Sequence, residues 1–211
     1  HAAGADMTFL RRLLPDTSNT RWIRAPAGTQ APDWPLTPLD QVNLPLVLRG
    51  TWVFDAPLDV DRLCHSLGRL LSDLPQLAGR LVRGDHVACN NAGVPLRVTR
   101  HPDLCVDDLR RDPSLADRFA RRPRPWRLKR GKEPPMTVGV GQLRDGTVLN
   151  VCCSHTLADG QTFYSFAVHW AHRYAGRDIP PPRPDNRAML HMVPRRAALS
   201  KQAAIEAALD R

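Results

Sequence analysis

The stretch TVLNVCCSHTLADGQTFYSFAVHWAHRYAG, residues 147–176, changes its period in the middle. As far as Cys153 it is a run of β-branched and apolar residues, a buried strand by type. From Phe163 onward, Phe163, Phe166, Ala167, Trp170, Ala171 and Tyr174 recur at spacings of three and four, which puts them on one face of a helix, and Gly176 supplies its C-cap. Between the two lies SHTLADG, in which His155 stands four residues ahead of Asp159-Gly160. A strand that runs through a short turn into a helix is the building unit of an α/β domain.

Working outward, MTVGVGQL at 136–143 reads as a second strand, joined to the first through Arg144-Asp145-Gly146, because Asp-Gly suits the turn of a hairpin. NLPLVLRGTWVFD at 43–55 reads as another strand, ended by Pro57. Asp59 is placed to cap a helix whose apolar face is Val60, Leu63, Cys64, Leu67, Leu70, Leu71 and Leu74, and Pro75 stops it. Residues 77–98 read as short strands broken at Gly84-Asp85 and at the turn cluster Asn90-Asn91-Ala92-Gly93. The stretch 110–132 carries ten Lys or Arg against two Asp, with three prolines, and reads as an exposed loop with one short helix near 115–120. Three segments result: residues 1–40, extended and rich in proline and aromatics, a domain over 41–178, and a Pro-rich connector with a terminal helix over 179–211.

A chain of 211 residues is long enough for one sizeable core and too short to expect two. No apolar segment approaches the roughly 18 residues of a membrane span, and the opening HAAGADM has no charged region followed by an apolar one, so neither a span nor a targeting signal is expected. Five cysteines, none in a C-x-x-C pair, read as small buried hydrophobes in a reducing compartment, which makes the cytoplasm the expected location. The net charge of +9 points to an anionic partner such as nucleic acid, a membrane surface or a phosphorylated cofactor. The excess of 27 arginines over 3 lysines fits a GC-rich genome equally well. His169 and His172 share the helix with no further ligand, so no metal is expected.

His155 admits two readings on its residues alone. Imidazole, with a reference pKa of about 6.5, is a usable base at neutral pH. A polar turn residue is the other. Asp159 would orient the ring, pair with an arginine or cap the helix, and Gly160 would permit a backbone conformation closed to residues with a Cβ.

The stretch SHTLADGQTFYSFAVHWA with the preceding EPPMTVGVGQLRDGTVLNVCC closely resembles the HxxxDG region of the BAHD acyltransferases. LTPLDQ at 36–41, LSDLPQLAGRL at 71–81, NNAGVPLRV at 90–98 and PRPDNRAML at 182–190 resemble further landmarks of that family, in the same order. The resemblance implies a chloramphenicol-acetyltransferase-like α/β sandwich, a mixed sheet flanked by helices, with 41–178 as its N-terminal domain. It implies transfer of an acyl group from acyl-CoA, a co-substrate rather than a bound cofactor, to an alcohol or amine acceptor. His155 would be the general base, Asp159 and Gly160 structural, and Thr37 would lie at the acceptor entrance. Cys152 and Cys153 would be packing residues, not nucleophiles. Ser154-His155 replaces the paired histidines of condensation domains and chloramphenicol acetyltransferase. The DFGWG landmark is absent, so the expected partners include a C-terminal half or a second copy that completes the channel. A non-catalytic binding module, or an inactive fragment using the basic loop for an anionic partner, is the competing expectation; nucleic acid stands behind acyl-CoA as that partner.

Overall fold

The computed structural model describes residues 20–177, 179 and 180. Residues 1–19 of the opening segment and the terminal helix expected at 197–209 lie outside them, as does the landmark at 182–190.

Two sheets form the frame. In the larger, the strands β1 (Thr20–Ile23), β6 (Val94–His101), β7 (Met136–Leu143), β8 (Thr147–Ser154) and β3 (Val47–Phe54) lie in that order. Only β6 and β7 run parallel; the other pairs are antiparallel, so the sheet is mixed. The smaller sheet has the order β2 (Trp34–Pro35), β5 (His86–Ala88), β4 (Arg80–Val82). The hairpin expected at Asp145-Gly146 is the β7–β8 turn, and β8 is buried along its whole length between β7 and β3.

Helices α2 (Val60–Asp73) and α5 (Gly160–Tyr174) cover one face of the large sheet. Their apolar stripes enter a common core in which Leu67, Leu70 and Leu71 are fully buried. Each such leucine contributes about 1.5–3 kcal/mol by leaving water. The helices are also joined by a buried hydrogen bond from Trp170 Nε1 to Ser66 Oγ, 2.9 Å, and by an Arg173–Asp73 ion pair. Asp59 caps α2, accepting from Arg62 N at 3.0 Å. Gly176, with φ of 76°, follows α5 in the left-handed conformation that glycine adopts without penalty.

Two stretches differ from their expectation. Residues 20–40 were expected to carry little regular structure, yet they supply β1, β2 and the start of α1 (Pro38–Val42). Thr-Arg-Trp-Ile is too short to show a period of two, and β1 exists because β6 offers it a partner edge. Residues 110–132 were expected as an exposed loop with one helix. Instead α3 (Val106–Arg111), a 3-10 turn (Pro113–Phe119) and α4 (Pro125–Lys129) follow one another. They turn Leu109, Ala116, Phe119 and Leu128 inward, and Phe119 lies on the second face of the large sheet. Among the described residues, no helix is long and apolar enough to cross a membrane.

Candidate active site

β8 ends at Ser154, whose N–H donates to Pro135 O at 2.8 Å. The next residue, His155, donates its own N–H to Leu46 O at 2.9 Å, and Leu157 N closes the turn on Ser154 O at 3.1 Å. Three backbone bonds therefore fix where the imidazole leaves the sheet. The ring itself is half-buried and makes no hydrogen bond among the described residues, and its Nδ1 is fully out of solvent. Thr156 Oγ1, beside it in the turn, is likewise buried without a partner. Buried polar atoms are rarely left so, and where they are, the cause is often functional. His169 shows the contrast: its Nδ1 lies 2.7 Å from Ser165 O and its Nε2 3.1 Å from Pro180 O, so whichever nitrogen carries the proton has a backbone carbonyl to donate to.

Asp159 is the N-cap of α5. Its Oδ1 accepts from Thr162 N at 2.7 Å, which selects the capping role among those open to it. That hydrogen bond to the ionised form, ahead of the nearby His155, holds its carboxyl below the usual carboxylate range. A depressed folded-state pKa means stability fully present above the unfolded value of about 3.9 and lost as pH falls through the folded one. Asp159→Ala is therefore expected to cost about 0.5–2 kcal/mol at neutral pH, with Asp159→Asn close to wild type because its amide oxygen caps equally well. Urea unfolding at pH 7 and again in acid, where the alanine variant's deficit should shrink, checks both.

Gly160 does not do what was expected of it. It is the first residue of α5, its φ is not positive, and a Cβ there would meet nothing within 4 Å. The helix start asks for ordinary helical dihedrals, so no residue type is excluded by its backbone.

Thr37 is the N-cap of α1 in a capping box. Its Oγ1 accepts from Asp40 N at 3.2 Å while its N–H donates to Asp40 Oδ2 at 2.7 Å. LTPLDQ is thus a helix-start signature, and its hydroxyl is engaged in that start. From α1 the chain passes Leu44, which packs on the same small core as Leu157, to Leu46 and the carbonyl that anchors His155. Leu46 and Pro135 act through backbone oxygens, so their side chains gave no sign of the role.

Cys152 and Cys153 are buried in β8. Burial raises both thiols, Cys153 to about 12. The thiolate is the nucleophilic form, so neither suits covalent chemistry at neutral pH. Iodoacetamide at pH 8 is expected to leave Cys153 unmodified in the folded chain and to alkylate it in urea, as read by peptide mass spectrometry; rapid labelling of the folded chain would contradict this burial. Among the described residues, no group of three His, Cys, Asp or Glu side chains is arranged to hold a metal. An apolar cleft of about 490 Å³ runs between α5 and β3, lined by Trp52, Phe54, Leu63, Tyr164, Val168 and Tyr174. His155 does not line it.

The family model described as "Transferase family" matches residues 16–207. Stemmadenine O-acetyltransferase of Catharanthus roseus is 30% identical over 149 residues, 64% of this chain and 35% of that protein. BAHD acyltransferase DCR of Arabidopsis thaliana is 28% identical over 123 residues, 53% of this chain and 25% of that protein. The chain spans about a third or less of the length of these curated relatives. Among solved structures, vinorine synthase superposes with a TM-score of 0.62 at 22% identity, covering 81% of this chain and 45% of that one. F. sporotrichioides TRI101 complexed with coenzyme A and T-2 gives 0.53 at 15%, covering 70% and 42%. These likenesses carry the fold, the mixed sheet flanked by helices of the chloramphenicol-acetyltransferase-like sandwich. With the family model matching nearly the whole chain and the curated relatives named as acyltransferases, the chain belongs to the BAHD-type transferase family.

Proposed function

We propose that this chain carries the base-bearing half of an acyl-CoA-dependent acyltransferase acting on an alcohol or amine. The observation behind this reading is the ring of His155: its backbone is anchored on two sides, yet neither ring nitrogen serves the fold. His169, by contrast, has a backbone carbonyl within reach of each ring nitrogen. Family membership supplies the reaction class, and the coenzyme A named in the TRI101 structure supports the donor.

In the reaction, neutral His155 accepts the proton of the acceptor O–H or N–H as that atom attacks the thioester carbonyl. The new C–O or C–N bond forms, the C–S bond breaks, and the proton passes to the departing CoA sulfur. General-base help of this kind is worth about 10²–10⁴ in rate. Asp159 holds the start of α5 and leaves the imidazole free. Thr37 stands at the acceptor side through the α1 segment that leads to Leu46. The other wall of the channel comes from a second half or a second copy, since the relatives extend well beyond the matched region. Thiol release from acyl-CoA, measured with the second half present and alcohols or amines as acceptors, is expected to depend on the acceptor. Absence of release for every acyl length from acetyl upward would overturn the reading.

A further inference from the structure

We propose that residues 118–132 form a docking surface for an acidic protein, at the end of the large sheet where β8 delivers His155. The proposal stands independently of the acyl-transfer reading.

These fifteen residues hold eight of the 30 lysines and arginines and none of the 21 aspartates and glutamates, so eight of the net nine positive charges sit here. Outside the stretch, cations and acids nearly balance. A GC-rich genome spreads arginine along a chain and does not concentrate it in this way.

The surface is built rather than loose. Glu133, buried at its end, accepts from Arg124 N at 2.6 Å and Arg124 Nε at 2.9 Å, and its Oε1 lies 3.0 Å from Arg127 Nε, off the hydrogen-bond direction. Phe119, Pro123 and Leu128 are buried beneath it, and the Thr137 hydroxyl donates to Arg121 O. The other six cations, Arg118, Arg121, Arg122, Lys129, Arg130 and Lys132, are exposed and form no ion pair among the described residues. Trp126, 54% exposed, stands among the guanidinium groups of Arg124, Arg127 and Arg130, at 5.5–5.9 Å from its ring. The chain then passes from Glu133 to Pro135, whose carbonyl holds Ser154 N beside His155. The patch and the imidazole share one end of the sheet.

Three observations choose the class of partner. The cavity among Arg121, Arg122, Arg127 and Lys132 is about 170 Å³, smaller than the roughly 300–1,000 Å³ of small-molecule sites, so the charges serve an open surface. Single-stranded nucleic acid needs aromatic faces free for bases and a continuous basic groove. Here guanidinium groups occupy the Trp126 ring, and Pro123, Pro125 and Gly131 break the segment into short turns. Tryptophan and arginine together are the residues that dominate protein–protein hot spots, and the arginine fork matches a carboxylate. An Asp- and Glu-rich face fits them.

The test measures binding of fluorescently labelled poly-L-glutamate, and of a single-stranded oligonucleotide of equal charge, to the 211-residue chain. Two triple variants are compared: Arg121→Glu, Arg122→Glu and Lys132→Glu in the patch, against Arg100→Glu, Arg144→Glu and Arg177→Glu away from it, with identical net charge. All six positions are exposed, and thermal unfolding verifies that each variant is folded. Polyglutamate binding is expected to fall at least about tenfold in the patch variant, several-fold in Trp126→Ala, and less than about twofold in the matched control. Equal loss in the matched control would overturn the proposal, since net charge alone would then explain binding. Tighter binding of the oligonucleotide with the same patch dependence would overturn it in favour of nucleic acid.

Discussion

His155→Ala is expected to lower acyl transfer by about 10²–10⁴ in kcat, with the donor's KM little changed. The split follows from geometry: the ring makes no hydrogen bond among the described residues, so its removal disturbs neither β8 nor the turn. Backbone anchoring at Leu46 survives any substitution but proline. Thermal unfolding should therefore shift by no more than about 1 kcal/mol equivalent, as for a half-exposed side chain. Loss of activity together with loss of folding would assign the residue to structure instead. Asp159→Asn separates the two neighbours, because it keeps the cap and should keep most of the rate.

Gly139→Ala is expected to produce the largest loss of stability among single methyl additions. A Cβ at Gly139 would lie 2.0 Å from the backbone oxygen of Phe119, and one at Gly141 2.2 Å from its ring. Two glycines in β7 thus let the 3-10 turn lie flat on the second face of the sheet. Relief requires the backbone of that turn to lift, which also withdraws Phe119 from its edge-on contact with His101 at 4.9 Å. Overpacking of this kind costs about 1–3 kcal/mol, and detachment of the turn would open Arg118 to trypsin. Gly160→Ala is the control, since the new methyl meets nothing and folding stability should hold or rise slightly. An unchanged urea midpoint for Gly139→Ala would contradict the placement of residues 113–119.

The parts of this fold that could be read from sequence are those whose signal is local. The α2 and α5 stripes and the β7–β8 hairpin each carry their own period or turn, and the structure places them where those patterns point. Capping was one of the roles open to Asp159 in the sequence, because a helix start needs an acceptor two or three residues ahead of its free N–H groups, and the structure selects it. β1 was hidden because four residues show no period and its reason to exist is the edge of β6, over seventy positions away at Arg97. The inward side chains of 106–129 were masked by arginines and prolines, and their spacing follows three separate short turns rather than one helix. At the site, His155 and its turn were visible, but the carbonyls of Leu46 and Pro135 that hold the backbone there left no trace in the spacing.

The central claim, direct transfer to an acceptor activated by His155, is tested most directly by timing thiol release from acyl-CoA with and without acceptor, and weighing the intact protein afterwards. Release is expected only when acceptor is present, with an unchanged protein mass and near-complete loss of release in His155→Ala. A stoichiometric burst of thiol without acceptor, accompanied by a mass gain of one acyl group on the chain, would contradict it.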